Sequence, residues 1–447
     1  MPTPPQQPSN GRLGHRGNHG GLAPTKNETA LRSGAGSPIT LKMTDKLNKP
    51  APTPQMKLSR LFTFTIICIL SCFLAIALTQ LLWQEKSAIA TPPPQTYNWN
   101  IPPWMPKPIV PADNPMNNEK VELGRHLFYE KRLSITGEFS CASCHIQAKA
   151  FTDGKTVGVG ATGEKHPRNA MSLTNIGYNS VLTWANPLMA TLEFQALVPM
   201  FGEHPVEMGM VGKEQEIIAM FGQDARYKKK FIAAFGDGEN AISISNIMKA
   251  IAAFERTLIS VNSPYDRYRY GGDKNAISAS AKRGEELFNS ERLECFHCHG
   301  GMNFSDSIMH DRLAFKEIAF HNTGLYNIDG KGAYPPNNTG VYEVTGEPSD
   351  MGKFKAPTLR NIALTAPYMH DGSIKTLAEV IGHYKAGGRT IKKGEFAGVG
   401  SENPLKSNFV SGFKLTVQEQ RDLLAFLKSL TEVEFINNPA FRDPTLP

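Results

Sequence analysis

The five-residue pattern Cys-x-x-Cys-His occurs twice in this chain, as "CASCH" at 141–145 and "CFHCH" at 295–299. Each copy follows a similar helical pattern, "LGRHLFYEKRLS" at 123–134 and "AKRGEELFNSERLE" at 281–294, and both patterns contain Gly-x-x-Leu-Phe. A long-period internal repeat of this kind indicates two structural modules of one design.

The spacing within each copy selects one kind of chemistry. A redox dithiol needs only the two cysteines, and a zinc site usually takes a second ligand pair ~10–20 residues away. Here the pairs stand about 150 residues apart. A covalent c-type haem uses all three residues, because both thiols add to the porphyrin and the histidine then meets the iron. The pattern therefore predicts two haems, attached through Cys141 and Cys144 with His145 as iron ligand, and through Cys295 and Cys298 with His299 as iron ligand.

The positive charge of the chain lies in its first 60 residues. The formal net charge is +7, and residues 1–60 hold nine Lys or Arg against Glu28 and Asp45. The rest of the chain is electrically balanced, which argues against a basic groove for a phosphate backbone. We expect no nucleic-acid partner, and we expect the Pro-, Gly- and Ser-rich tail 1–60 to be disordered.

Residues 61–83, "LFTFTIICILSCFLAIALTQLLW", carry no charge and are long enough to cross a hydrocarbon core of ~30 Å. Basic residues before the segment predict a cytoplasmic tail and export of the remainder to the periplasm. Two alternatives remain. The segment is a permanent inner-membrane anchor, or it is a signal peptide cut near Ala90. Met56 opens a normal signal sequence, so Met1 and Met56 are both candidate starts.

Helical periodicity dominates the exported part. Amphipathic helices are predicted at 118–134, 246–260 and 415–431, and alternating strand patterns are scarce. A proline-rich linker at 84–112 should run extended over the surface. The predicted fold is mainly α, with two cytochrome c-like helical domains at 113–275 and 276–440 packed together and preceded by the single transmembrane or signal segment.

Residues 105–435, approximately, resemble the bacterial di-haem cytochrome c peroxidases and the related MauG enzymes. Beyond the two haem-binding units, the resemblance is carried by "HPVEMG" (204–209), "RNA" (168–170) and "TAPYMHDG" (365–372). The stretches "FGEHPVEMG" and "HPRNAMSLTN" look closest to MauG-like enzymes that are encoded beside methanobactin genes and oxidise tryptophan in a copper-binding partner.

The resemblance implies that peroxide reacts at the first haem. Cleaving an O–O bond needs an open iron position and an acid–base group that moves a proton between the oxygens. The family places that role on the glutamate matched here by Glu207, with Gln195 and Pro199 lining the same pocket. About two extra residues separate Pro199 from Glu207, so the shape of this loop is open.

Many of the peroxidases block the first iron with a loop histidine until they are reduced. That histidine lies eight residues before the asparagine of the "RNA" segment, and counting back from Asn169 reaches Ala161. We therefore expect a five-coordinate first haem that is ready without prior reduction. His166 is expected at the surface or beside a haem propionate.

The second iron receives its other axial ligand, in this family, from a helix after the "TAPYMHDG" turn. Fourteen residues after His370 the chain has Tyr384, where the peroxidases have methionine and MauG has tyrosine. Leu377, Val380, Ile381 and Tyr384 share one predicted helical face. His383, Met369 and Met351 are weaker alternatives, and an ordinary core tyrosine is the remaining one.

Two further features follow from the resemblance. Trp184 matches a tryptophan that lies between the haems and relays electrons. Asn169 and the carbonyls of Thr365 and Pro367 match a calcium site, and oxygen ligands suit that hard cation.

The residue type at position 384 distinguishes the candidate functions. A thioether ligand raises the haem potential, whereas a phenolate stabilises ferric and higher states. The leading hypothesis is an exported MauG-like enzyme that uses hydrogen peroxide to form high-valent haem and oxidise a tryptophan of a partner protein. The alternative is a cytochrome c peroxidase that takes electrons from a small cytochrome or copper protein, and a non-enzymatic electron carrier is the third. A homodimer, common among the peroxidases, stays open.

Overall fold

The computed structural model describes residues 97–238 and 240–445. The predicted tail 1–60, the apolar segment 61–83 and the first part of the predicted linker therefore lie outside the described residues. Within the described ranges no helix is long and apolar enough to cross a membrane.

The described part of the chain is mainly helical, as predicted. Its α-helices are α1 (Asn118–Phe128), α2 (Cys141–Cys144), α3 (Leu192–Gln195), α4 (Leu197–Phe201), α5 (Glu214–Gln223), α6 (Ala225–Phe235), α7 (Ile244–Glu255), α8 (Pro264–Arg269), α9 (Ala279–Phe288), α10 (Cys295–Cys298), α11 (Tyr342–Thr345), α12 (Leu377–Lys385), α13 (Val417–Ser429) and α14 (Val433–Asn437). Two short strands, β1 (Thr390–Ile391) and β2 (Gly398–Val399), pair antiparallel.

Side-chain caps set where the longer helices begin. Asn117 accepts a hydrogen bond from the backbone N–H of Lys120 at the start of α1. Thr416 and Glu419 form a reciprocal capping box on α13, as the sequence predicts for Thr416, and Thr376 with Glu379 does the same on α12. Such caps satisfy backbone donors that have no partner inside the helix.

A repeated glycine contact joins one helix pair in each half of the described chain. A Cβ on Gly124 of α1 would lie 1.9 Å from the carbonyl oxygen of Ala250 in α7. A Cβ on Gly284 of α9 would lie 2.0 Å from the carbonyl oxygen of Asp422 in α13. Only glycine permits backbones to approach this closely. The Gly-x-x-Leu-Phe repeat therefore marks the place where each pair crosses.

Next to each helix crossing, two phenylalanine rings make a similar contact in the two halves. Phe128 lies 5.3 Å from Phe254 between ring centroids in the first pair. Phe288 lies 5.1 Å from Phe426 in the second. Tilted aromatic pairs at this separation add to the stabilisation that burial provides.

Two hydrophobic clusters form the core. The first gathers residues from 123–258 together with Phe435 and Phe441 of the C-terminal segment. The second gathers Ala185, Tyr265 and residues from 288–430. The C-terminal segment thus returns to the first cluster after leaving the second. The boundary near residues 275 and 276 stays a prediction.

Candidate haem sites and the region between them

The two histidines of the repeated pattern make the same hydrogen bond. Nδ1 of His145 lies 2.8 Å from the carbonyl oxygen of Phe151, and Nδ1 of His299 lies 3.0 Å from the carbonyl oxygen of Phe304. Since a carbonyl can only accept, Nδ1 carries the proton in both rings. Burial lowers the pKa of both histidines. Each ring is therefore neutral and has a free Nε2, which is the form and orientation that binds a metal.

The four cysteines of the repeat lie at the same two places as these histidines. Cys141 and Cys144 line a first cavity together with His145, and Cys295 and Cys298 line a second cavity together with His299. None of the four is in a disulfide. Burial raises the pKa of the Cys144 thiol to about 11 and that of Cys295 to about 12. Thiols held protonated beside a cavity fit thioether attachment of a porphyrin better than thiolate coordination of an ion.

His297, the extra histidine of the second copy, faces away. Its Nε2 lies 2.7 Å from a carboxylate oxygen of Glu294, and its ring stacks on Phe409 at 4.2 Å. It is not among the residues that line the second cavity.

The first cavity collects the residues predicted to act on peroxide. Gln195, the last residue of α3, lines it with Pro199 of α4 and with Glu207 on the following loop. Burial raises the pKa of Glu207 to about 7. A carboxyl whose pKa lies near neutrality can both accept and release a proton at that pH.

The loop before Asn169 also reaches the first cavity. The N–H of Ala161, the position matching the blocking histidine, donates to the carbonyl oxygen of Glu207 at 2.6 Å. A methyl side chain there offers no ligand. Nε2 of His166 lies 4.0 Å from a Glu207 oxygen, with the His166 side chain 34% exposed. His166 therefore lines the cavity beside the carboxyl.

Tyr384 lines the second cavity together with His299. The same face of α12 contributes Leu377, Val380 and Ile381, as the helical spacing predicts. Burial raises the pKa of the Tyr384 hydroxyl. A bound cation would reverse that direction, because a metal favours the deprotonated form of its ligand.

The alternatives to Tyr384 are placed less well. His383 is buried but does not line the second cavity, and neither does Met351. Met369 does line it, from the "TAPYMHDG" turn. Tyr384 and Met369 are thus the two candidate oxygen or sulfur ligands at this cavity among those that the sequence offers.

Trp184 lines both cavities. Its Nε1 donates to the carbonyl oxygen of Asn169 at 2.8 Å, which fixes the plane of the indole. Its own carbonyl accepts a hydrogen bond from the N–H of Lys355 at 2.8 Å. The indole thus lies where the two candidate haem sites approach each other.

The comparisons with known proteins agree with this arrangement. Residues 118–275 match the family described as "Di-haem cytochrome c peroxidase". The chain is 35% identical to "Cytochrome-c peroxidase IdrP1" of Pseudomonas sp. (strain SCT), over 77% of this chain and 89% of that protein. It is 34% identical to "Methylamine utilization protein MauG" of Methylophilus methylotrophus, over 72% of this chain and 85% of that protein.

The chain belongs to the di-haem cytochrome c peroxidase and MauG family. It is accordingly an oxidoreductase whose family carries two c-type haems. Among solved structures it is similar to a "MauG-like protein associated with microbial copper homeostasis", at 52% identity and a TM-score of 0.76, covering 78% of this chain and 99% of that chain. The fold is shared with the diheme peroxidase BthA from Burkholderia thailandensis, at 19% identity and a TM-score of 0.56.

The calcium ligands expected from the family lie on adjoining segments. The N–H of Asn169 donates to the carbonyl oxygen of His370 at 2.8 Å, which holds Asn169 against the turn that contains Thr365 and Pro367. The Asn169 side-chain nitrogen donates to the carbonyl oxygen of Lys155 at 2.7 Å. Its side-chain oxygen is the atom that would meet a cation, and the calcium site stays a prediction.

Two buried ionisable groups at the cavities were missed by sequence reasoning. Glu255, the last residue of α7, lines the first cavity with one carboxylate oxygen that has no partner, and burial raises its pKa to about 8. Lys355 lines the second cavity, donates from Nζ to the carbonyl oxygen of Val181 at 2.9 Å, and has its pKa lowered to about 7 by burial. Neither stands in a motif, and only their burial distinguishes them.

An ion pair beside Cys298 was missed as well. Nε2 of His321 lies 2.6 Å from a carboxylate oxygen of Asp306, and both side chains are 17% exposed. His321 lines the second cavity. The two residues are 15 positions apart in the chain, so no local sequence pattern predicts that they pair.

Proposed function

We propose that this protein is a MauG-like enzyme that uses hydrogen peroxide to oxidise a tryptophan of an exported partner protein. The observation that carries the proposal is the position of Tyr384, on the α12 face that lines the second cavity with His299. When bound, the two haems supply the redox-active iron that accepts the oxidising equivalents of peroxide.

Tyr384 decides which direction of electron flow is favoured. A phenolate is a hard anionic ligand, so it stabilises the oxidised forms of iron more than a thioether does. A haem held by His299 and Tyr384 would therefore be a poor inlet for electrons and a good store for an oxidising equivalent. With methionine at this position the reverse would hold.

The first cavity supplies acid–base chemistry. Glu207 would accept a proton from peroxide that enters the first cavity and return it to the oxygen that leaves as water, and His145 would hold the haem whose iron supplies the redox chemistry. Gln195 and Pro199 line the same space and exclude other groups from it. Since the Ala161 side chain offers no ligand, peroxide would have access to the first cavity in the resting protein.

Trp184 is proposed as the relay between the two sites, because its indole lines both cavities. A calcium ion held by Asn169, Thr365 and Pro367 would fix the same region, since Asn169 also accepts the Trp184 hydrogen bond.

The relatives support two activities. The similar structure at 52% identity is of a MauG-like protein associated with microbial copper homeostasis, which favours the MauG-like activity. Relatives at 35% identity are named cytochrome-c peroxidase, and peroxide reduction with electrons from a small cytochrome or copper protein is the second candidate. The location of the enzyme is proposed as the periplasm, anchored by residues 61–83 or released after cleavage near Ala90.

The test adds hydrogen peroxide to the ferric holoprotein without any reductant. The proposal predicts a lasting change in haem absorption that accounts for two oxidising equivalents. Tyr384→Phe should abolish the lasting change. Tyr368→Phe is the matched control, because Tyr368 lines the same cavity and its hydroxyl only donates to the carbonyl oxygen of Ile362, at 3.1 Å. A requirement for half-reduction before any reaction would instead establish the peroxidase.

A further inference from the structure

The proline-rich segment that precedes α1 is fixed to the body of the protein although it forms neither helix nor strand. The Arg312 guanidinium donates to the carbonyl oxygens of Trp104 at 3.3 Å and Met105 at 3.2 Å. The hydroxyl of Tyr178 donates to the carbonyl oxygen of Pro106 at 2.7 Å. These bonds hold Trp104 in one place, and neither candidate haem site uses them.

Trp104 is stacked on an exposed tyrosine. Its ring lies 4.1 Å from that of Tyr270, with 13° between the planes. Tyr270 is 42% exposed, and Trp104 is partly exposed. A stacked pair of electron-rich rings at the surface shares the charge that is left when one of them loses an electron.

A buried cation lies on the inner side of Trp104. The guanidinium carbon of Arg360 is 6.0 Å from the Trp104 ring and 5.8 Å from the ring of Phe304. An isolated cation beside an aromatic ring would make the ring harder to oxidise. Here Asp266 neutralises Arg360 through two hydrogen bonds of 2.8 and 3.0 Å. The ion pair therefore bridges the two rings without leaving a net charge between them.

Phe304 connects this bridge to the second candidate haem site. Its carbonyl oxygen accepts the hydrogen bond from Nδ1 of His299. Trp104, Arg360 and Phe304 thus form a continuous set of contacts between an exposed aromatic pair and the histidine that would bind the second iron.

We propose that the Trp104–Tyr270 pair is the surface site through which the partner protein gives up its electrons to the second haem. This inference rests on the proposed function and adds the surface at which the partner binds. In each one-electron transfer, the pair gives one electron to the second haem site and then takes one electron from an aromatic side chain of the partner. Two such transfers remove two electrons and two protons from that side chain, and hydrogen peroxide with two electrons and two protons becomes two water molecules.

Charge around the pair indicates the chemistry of the partner. Three exposed basic residues adjoin it: Arg269 precedes Tyr270 in the chain, and Arg312 and Lys107 lie at the Trp104 segment, where the exposed acidic residue is Asp311. Opposite charge across an interface steers association and fixes orientation. The fitting partner therefore presents an oxidisable aromatic side chain with acidic residues around it.

The experiment uses the holoprotein with excess hydrogen peroxide and no partner protein. Without a partner to supply electrons, the oxidising equivalents should be spent on the side chains of the surface pair. Wild type, Trp104→Phe, Tyr270→Phe and Trp99→Phe are compared. Trp99 is the matched control, because it is also a partly exposed tryptophan beside a tyrosine, with its ring 5.0 Å from that of Tyr97. Oxygen addition is located by peptide mass spectrometry, and the decay of the peroxide-induced change in haem absorption is timed.

In the wild type, oxygen addition should concentrate on Trp104 and Tyr270 and spare Trp99. Trp104→Phe should slow the decay of the absorption change several-fold, whereas Trp99→Phe should leave it unchanged. An absorption change that forms and decays equally in all variants, with Trp104 unmodified, would overturn the surface site alone. No absorption change in any variant without reductant would overturn the proposed function and this inference together.

Discussion

The indole nitrogen of Trp184 donates a hydrogen bond to the carbonyl oxygen of Asn169 at 2.8 Å. This bond orients a ring that lines both cavities. Asn169 is in turn held to the turn at His370 by its own N–H. One short network therefore sets the geometry between the two candidate haem sites.

Replacing Trp184 with Phe should slow electron exchange between the haems several-fold. Phenylalanine keeps an aromatic ring but is harder to oxidise, and it leaves the Asn169 carbonyl without its donor. The rate is measured by stopped-flow absorption after half-reduction of the holoprotein. Trp99→Phe is the control, since Trp99 lines neither cavity. Equal exchange rates in both variants would remove Trp184 from the route.

Replacing Glu207 with Gln should lower the rate of reaction with peroxide by about 10²–10⁴-fold, the usual contribution of a positioned acid–base group. In the wild type the rate should rise with pH through about 7, because burial raises the pKa of Glu207 to about 7 and only the carboxylate accepts a proton. The pH profile of Glu207→Gln should be flat in this range. A variant that keeps the wild-type profile would show that another group moves the proton.

The same pKa shift has a consequence for stability. A carboxyl whose folded pKa lies above its unfolded value stabilises the fold fully below the unfolded pKa, and this contribution is lost as the pH rises through the folded pKa. For Glu207 the window runs from the ordinary value of 4.5 to about 7. The thermal stabilities of wild type and Glu207→Gln should therefore diverge across this window, and above it the wild type should be less stable relative to the variant than at acid pH.

Replacing Gly124 or Gly284 with Ala should destabilise the protein by about 1–3 kcal/mol, the usual cost of overpacking. Each added methyl would meet a carbonyl oxygen of the facing helix, at 1.9 Å and 2.0 Å. Gly222→Ala in α5 is the control, because a Cβ there meets nothing within 4 Å. It should raise stability by about 0.5–1 kcal/mol. Urea unfolding of the three variants measures both signs.

Purified holoprotein should contain one calcium ion per chain by elemental analysis. Asn169→Ala should lose it, because the side-chain oxygen is a proposed ligand. Thr365→Ser should keep it, since Thr365 would contribute only its backbone carbonyl. Metal lost equally from both variants, or absent from the wild type, would contradict the site.

Much of the arrangement of the two candidate haem sites could be predicted, because it depends on local sequence. Cys-x-x-Cys-His, the preceding glycine helices and the α12 face with Tyr384 are short-range patterns with a fixed period. The helix predicted at 246–260 instead ends at Glu255. The next residue, Arg256, donates hydrogen bonds of 2.6 and 2.8 Å to the Glu193 carboxylate. This pairing joins residues that are distant in the chain, so helical periodicity does not predict it.

The less predictable features join distant segments. Arg360 is fully buried against Asp266, and Lys355 is buried beside Trp184, although both residue types usually lie at the surface. Glu255 is likewise hard to predict. Its sequence context indicates only an amphipathic helix, whereas the burial of its unpartnered carboxylate oxygen depends on the folded chain. The sequence predicts His166 at the surface or beside a propionate, and its approach to Glu207 depends on the path of a loop, which the length of that loop does not determine.

Electron paramagnetic resonance of the ferric holoprotein, with its absorption spectrum, tests the ligand assignment most directly because it reports both axial ligations at once. We predict a high-spin signal from a five-coordinate first haem and a signal from a second haem bound by His299 and the Tyr384 oxygen, the latter being lost in Tyr384→Phe and retained in Tyr368→Phe. A low-spin signal with methionine or a second histidine at either iron would contradict the assignment and leave peroxide reduction as the function.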